Sequence, residues 1–388
     1  MENLWDENEA KSFEGDLALR VYTSNLLGRS DELVLHGGGN TSVKSKVDGE
    51  DILYVKGSGW DLVSIKEEGF APVKLDTLKK MATLEELSDS DMVNKQKAAM
   101  IDKSAPNPSV EAILHAIIPF KFVDHTHADA VVTISNSKTG IENIKKVFPN
   151  FLIVPYVMPG FVLAKKIYEM SKGIDWETCE GIILHNHGIF TFDDDGKKSY
   201  DKMIEAVSLA EKFLEKNASL ELDEIEAREF DISKLEHYLS QKKGFDIVFK
   251  INQSKLALNY SRLSNENKKR GVLTPEHIIR TKRVPLVLED ENEQLALLEF
   301  EREYKEYFKK FAKDEIMLNP APNYVVIRDF GVISFGKNEK EANIIDDIVT
   351  HTMNAVLKAD KLGGYESIGL KDSFEMEYWE LEQAKLKK

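Results

Sequence analysis

Lys121-Phe122-Val123-Asp124-His125-Thr126-His127 is the stretch on which the reading of the fold turns. It reads as a strand, and side chains alternate along a strand, so His125 and His127 share one face. Two imidazoles at that spacing can both reach one ion at about 2.0–2.1 Å. Just upstream, residues 109–118 form a compact helix between Pro108 and Pro119, apolar at Val110, Ile113, Leu114, Ile117 and Ile118. Ser109 is its N-cap candidate. Glu111 falls in the first turn, where the helix dipole favours a carboxylate. His115 lies one turn further on the same face and reads as a structural hydrogen-bonding residue. Further upstream the pattern predicts a helix over 14–29 and strands over Leu33–His36 and Ile52–Val55. Between these strands lie a glycine run, the short stretch Thr41–Val47 and an Asp48-Gly49 turn. Downstream it predicts strands over 151–157 and 181–192 and a long helix over about 197–216.

A second histidine pair, His185-Asn186-His187-Gly188, follows the apolar run Ile182-Ile183-Leu184 and so sits at a strand end. On residue type alone either histidine supplies a third ligand. Three neutral imidazoles plus an open position is the arrangement of a catalytic divalent site. An ionised Glu111 beside it acts as a fourth ligand or as a proton-abstracting base. Two small-residue loops complete the set. His36-Gly37-Gly38-Gly39-Asn40-Thr41-Ser42 and Lys56-Gly57-Ser58-Gly59 offer backbone N–H groups and hydroxyls suited to a phosphate. Neither loop has the spacing of a dinucleotide fingerprint or a P-loop.

The 388 residues carry a net charge of −15, which argues against non-specific nucleic-acid binding. No apolar run reaches the roughly 18–20 residues of a membrane span, and the acidic N-terminus lacks a signal-peptide core. The single cysteine, Cys179, excludes an internal disulfide and a cysteine zinc cluster. A cytoplasmic protein with no nucleic-acid or membrane partner is expected. The charged stretch Leu220 to Glu229 marks a boundary, giving domains over 1–220 and 221–388. Arg328-Asp329-Phe330-Gly331-Val332-Ile333-Ser334-Phe335 then echoes His185-Asn186-His187-Gly188-Ile189-Phe190-Thr191-Phe192, and a helix follows each. This suggests a degenerate duplication whose second copy has lost the histidines.

Taken in order, Gly39-Asn40-Thr41-Ser42, Gly57-Ser58-Gly59, Pro108-Ser109-Val110-Glu111, His125-Thr126-His127 and Asn186-His187-Gly188 resemble the class II aldolase/adducin family. The resemblance implies a divalent zinc, or another divalent ion, on His125, His127 and His187, which favours His187 over His185. It implies a catalytic acidic residue at Glu111 and a substrate phosphate held by Asn40, Thr41, Gly57, Ser58 and Ser109. Val110 stands where members often carry a second serine. Thr274–Lys282 and Tyr378–Lys385 are similar to the aldolase half of bifunctional rhamnulose-1-phosphate aldolase/alcohol dehydrogenase proteins. With no Rossmann fingerprint here, the dehydrogenase activity is not carried over. The expected fold is α/β: a layered domain with a mostly antiparallel central sheet flanked by helices, plus a smaller α/β lobe. The activity implied is cleavage of a ketose 1-phosphate to dihydroxyacetone phosphate and a small aldehyde through a metal-stabilised enediolate. Epimerases and dehydratases share the scaffold, as do non-enzymatic adducin-like modules. The resemblance further implies a sugar-phosphate substrate, a homo-oligomer, and a tyrosine acid from a neighbouring subunit that maps onto none of the 12 tyrosines.

Overall fold

The structure, a computed structural model, describes residues 1–289 and 292–383. It divides into two compact units, one of Met1–Ser135 with Ile141–Phe213 and the other of Asn136–Gly140 with Leu214–Lys388. The first unit is built on seven strands: β1 (Asn40–Val47), β2 (Glu50–Lys56), β3 (Phe70–Lys74), β4 (Phe122–Thr126), β5 (Phe151–Val154), β6 (Gly181–Leu184) and β7 (Gly188–Asp193). Their order is β3-β2-β1-β4-β7-β6-β5. Every neighbouring pair is antiparallel except β5 and β6.

β4 is the central strand, and all five of its residues are buried. Alternation gives its two faces different work. Val123 packs with Leu114, Ile118, Leu163, Phe190 and Phe192 in one apolar layer, and His125 shares that face. Asp124 points the other way, where its Oδ1 accepts a hydrogen bond from Arg20 Nη2 at 2.5 Å and its Oδ2 one from Ser199 Oγ at 2.5 Å. Arg20 and Asp124 are both fully buried. They join helix Asp16–Gly28 to the middle of the sheet, and Ser199 adds helix Gly196–Asn217. The strand carrying the histidine pair is therefore held from behind by a buried ion pair.

Several local predictions change. Leu33–His36 is turn and coil rather than strand. Its backbone is spent on a Gly38 N–H to Leu35 carbonyl turn and on the Leu33 carbonyl, which accepts from His127 N–H. The strand is instead Asn40–Val47, joined to β2 by Asp48 and Gly49, both at positive φ. The run 181–192 is a hairpin, broken where Asn186 adopts a left-handed φ of 57°. Strand 151–157 stops at Val154. The helix expected over 109–118 spans Ala112–Ile117. Gly57 bridges to Pro108, and Ser109 N–H donates to the Lys56 carbonyl, so the backbone is still paired as a strand there and turns helical three residues late.

The second unit has four strands, β8 (Val248–Asn252), β9 (Leu286–Leu288), β10 (Tyr324–Ile327) and β11 (Gly331–Gly336), in the order β8-β11-β10-β9. β9 runs parallel to β10, while β10–β11 and β11–β8 are antiparallel. This matches β4-β7-β6-β5 strand for strand, with helix Glu339–Lys361 following β11 as Gly196–Asn217 follows β7. Asp329 repeats the positive φ of Asn186, at 54°. The pairing registers superpose residue on residue: Phe330 stands at the place of His187, Ile251 at that of His125 and Gln253 at that of His127. Elsewhere in this unit the segments 274–282 and 378–385 approach each other around buried Glu377. Its Oε1 lies 3.3 Å from Lys282 Nζ and accepts a 2.8 Å hydrogen bond from Tyr304, which contacts Tyr378. Ala384 and Lys385 lie outside the described residues.

Replacing Asp124 by Asn should leave the Arg20 guanidinium buried without a counter-charge. The expected cost is about 3–5 kcal/mol of unfolding free energy, read from urea denaturation midpoints. A loss under about 1 kcal/mol would place the pair among ornamental contacts.

Candidate metal centre

The two histidine motifs converge. One ring nitrogen from each of His125, His127 and His187 lies within 4.8 Å of the others. His125 Nε2 and His127 Nε2 are 3.1 Å apart, close to the roughly 3.3 Å expected of two nitrogens bound tetrahedrally at 2.0–2.1 Å. His125 is sandwiched in the sheet, stacked on Phe190 at 4.0 Å between ring centroids. Its Nδ1 lies 3.0 Å from the Ile189 carbonyl. A carbonyl only accepts, so Nδ1 carries the proton and Nε2 presents its lone pair to the cluster. Burial holds the His125 pKa well below its ordinary 6.5, against the pull of Glu111, and keeps the ring neutral as a ligand must be.

The short β6–β7 turn delivers the third ring. His187 N–H closes it on the Leu184 carbonyl, and Asn186 N–H donates to Ser135 Oγ. His187 joins the cluster, whereas His185 is outside it. Gly188 is required by space: a Cβ there would sit 2.4 Å from the Thr126 carbonyl oxygen and 2.9 Å from His125 Cε1. Gly39, at φ 62°, passes so close that a Cβ would meet the His125 carbonyl oxygen at 2.7 Å.

Glu111 sits against the triad, with Oε2 3.5 Å from His125 Nε2 and Oε1 3.9 Å from His187 Nε2. It occupies the N-cap position of helix Ala112–Ile117 but makes no capping bond, because its carboxylate turns into the site. Asn40 Nδ2 donates to Oε2 at 2.6 Å. Asn40 Oδ1 in turn accepts from His115 Nε2, and His115 Nδ1 accepts from Ser42 Oγ at 2.8 Å. Burial holds His115 neutral, down to about 3. One hydrogen-bonded line thus runs Ser42, His115, Asn40, Glu111, with each donor and acceptor determined by the next. Glu111 Oε1 is buried and has no hydrogen-bond partner. Burial raises the Glu111 pKa, but His125, His187, the Asn40 amide and His127 together lower it more, to about 2. A bare carboxylate oxygen beside three imidazole nitrogens suits a divalent cation, so the donor set fits zinc.

The residues expected at a phosphate fall in three places. Gly57, Ser58 and Ser109 lie on adjoining loops, where Gly57 bridges to Pro108. The N–H groups of Gly57 and Ser58 already donate to the Gly69 and Asn107 carbonyls, which leaves the exposed Ser58 hydroxyl as the available donor. Ser109 Oγ accepts from Glu111 N–H at 3.2 Å. Asn40 is committed to Glu111 and His115. Thr41 alternates to the opposite face of β1 and is fully buried, with its hydroxyl 2.8 Å from Ser24 Oγ. Lys56 is a shaping residue that the sequence pattern did not single out. Its buried ammonium donates to the Gly37 carbonyl at 3.2 Å and holds the glycine run in place. A lysine before a glycine turn reads as solvated, so no sequence signal flagged it.

Metal analysis of the chain purified with zinc should find the ion bound, and His125→Ala should lose it while circular dichroism shows the fold retained. His187→Ala should weaken zinc binding more than His185→Ala. The reverse order would hand the third position to His185.

Comparison with known proteins agrees with this architecture. Residues 19–214, a little over half the chain, match the model of the class II aldolase and adducin N-terminal domain, and residues 230–386 match that of the aldolase class II second domain. A solved N-terminal class II aldolase domain of a conserved protein from Thermoplasma acidophilum is 42% identical. It covers 55% of this chain and 99% of its own, with a TM-score of 0.50. A Bacillus subtilis (strain 168) protein described as uncharacterized oxidoreductase YuxG is 29% identical over 425 residues, which take in all of this chain. The chain spans about 60% of the length of that curated relative. Two consecutive domain matches, in the order of the two units of the fold, establish that the chain belongs to the class II aldolase/adducin family.

Proposed function

We propose that the protein is a zinc-dependent aldolase that cleaves a ketose 1-phosphate to dihydroxyacetone phosphate and a small aldehyde. The observation that carries this reading is the ionised Glu111 carboxylate, with one bare oxygen, beside three convergent imidazoles. Zinc on His125, His127 and His187 supplies Lewis-acid stabilisation of the negative charge that develops on substrate oxygens.

The protein's own groups do the rest. Glu111 is the proton carrier: in the direction of synthesis it takes the carbon-bound proton, and in cleavage it returns it. Its low pKa suits a group that begins as a base in the first case. Asn40 holds Glu111 by Oε2, so the proton travels through Oε1, the oxygen with no partner. His115 and Ser42 keep the Asn40 amide from rotating. The hydroxyls of Ser58 and Ser109, on loops tied together by the Gly57–Pro108 bridge, anchor the phosphate end and set the reacting carbons relative to Glu111. Thr41 does not contribute its side chain to that anchor, and Val110 offers no hydroxyl. The phosphate is therefore held by fewer donors than the motif pattern suggests.

A screen of ketose 1-phosphates against the zinc-loaded chain, with dihydroxyacetone phosphate as the measured product, tests the reading. Turnover that releases none of it would point to epimerisation or dehydration instead. Glu111→Gln should keep its zinc and lose roughly 10²–10⁴-fold in kcat. Unchanged turnover would remove Glu111 from the chemistry. Asn40→Ala should also keep zinc but lower kcat by about 10–10²-fold through misplacement of Glu111.

A further inference from the structure

The second unit repeats the strand order, registers and left-handed turn of the first, so it has a position equivalent to the metal centre. That position is not filled in. A cavity of about 720 Å³ lies there, lined by residues that include Gln253 and Phe330, the counterparts of His127 and His187. The volume is within the roughly 300–1,000 Å³ of small-molecule sites. With Ile251, Gln253 and Phe330 in place of the three imidazoles, the cavity has no set of metal ligands. It has instead acquired a different lining, drawn from the charged stretch that ends at Glu229 and from the helices after it.

The chemistry of that lining is specific. Arg228 and Lys234 are its two cations, and among the described residues neither has a carboxylate within ion-pair distance. Arg228 is fixed in place, because its Nε donates to the Arg328 carbonyl at 2.9 Å and its N–H to the Asp329 carbonyl at 2.8 Å. Its Nη2 is buried without a hydrogen-bond partner. Glu293, on the opposite charge, is only 8% exposed and enters no ion pair among the described residues. Phe230 and Phe330 pack at 5.6 Å between centroids and present an apolar face. Gln253 Nε2 donates to the Phe330 carbonyl at 3.1 Å, which ties the strand end to the turn.

We propose that this cavity is a second binding site, separate from the metal centre, for an anionic polyol: a phosphorylated sugar or a sugar acid. The anionic end pairs with Arg228 and Lys234, hydroxyls donate to Glu293, and the carbon chain lies on the phenylalanine rings. The two sources share a charged oxygen group and a row of hydroxyls. A bare anion has nothing to offer Glu293, and a neutral sugar leaves both cations uncompensated.

Isothermal titration calorimetry on the full-length His125→Ala chain, whose metal centre is disabled, tests this with three probes: fructose 1-phosphate, gluconate and inorganic phosphate. The expected result is one saturable site for fructose 1-phosphate or gluconate. Whichever binds more tightly identifies the anionic end. Lys234→Glu, an exposed change on the first turn of helix Ser233–Lys243, should weaken that binding roughly tenfold or more with no change in unfolding temperature. Glu293→Gln should weaken the two polyols and leave inorganic phosphate unaffected. The same site should persist in the zinc-loaded parent chain as a second binding event. Absence of saturable binding by both polyols in the His125→Ala chain overturns the proposal. So does equal affinity for inorganic phosphate, or binding indifferent to Lys234→Glu.

Discussion

The chemistry of this protein depends on one strand being held from both sides. β4 places His125 on one face and Asp124 on the other, and each face imposes its own demand. A buried carboxylate is tolerated only when paired and hydrogen-bonded, and Arg20 and Ser199 meet that need from two helices. Such a pair adds little net stability against an apolar substitute. Its value is positional, because a strand locked through Asp124 cannot slip by one residue without burying Asp124 where His125 now stands. The metal-site geometry thus inherits its precision from a salt bridge that never touches it.

The same economy governs Glu111. A buried, ionised carboxylate needs donors, and the site supplies one amide and leaves the second oxygen bare. The Ser42–His115–Asn40 line explains how this is stable: every group in it is fully committed, so the open valence is concentrated on a single atom. His115 carries no cluster ligand, yet it decides which way the amide faces. A network satisfied everywhere except at one oxygen is what a site for a cation and a travelling proton requires.

What was legible in the sequence follows from which rule was local. Period-2 alternation correctly put His125 and His127 on one face, because it needs only the strand. The same rule applied to Asn40-Thr41-Ser42 separates Thr41 from its neighbours, and it was not visible until Asn40 was known to begin a strand. Leu33–His36 looked like that strand because Leu33 and Val34 are apolar, but their burial comes from a turn packed near His127 and not from pairing. The break in 181–192 rests on Asn186 at positive φ, which asparagine tolerates but does not announce. Helix Ala112–Ile117 starts late because residues 108 and 109 are paired with the loop after β2, a long-range constraint absent from local capping signals. The meeting of Glu111 with Asn40 is of the same kind, set by strand order and not by any spacing along the chain.

The two units show what a fold keeps when its chemistry is removed. Strand order, the parallel edge pair, the left-handed residue before Phe330 and the following helix all survive, because each is set by backbone pairing and apolar layers. Ile333 and Phe335 take the inward positions of Phe190 and Phe192. The imidazoles are under a different constraint. Without a cation, three clustered ring nitrogens and a carboxylate are unsatisfied polar groups, so losing one ligand makes the others a liability. Replacement by Ile251, Gln253 and Phe330 discharges that liability at all three positions. It does not account for the space left over, nor for two cations and a carboxylate brought to its wall without mutual pairing. Packing alone would have closed such a space or neutralised its charges. Its persistence is better explained by a polar occupant than by neglect.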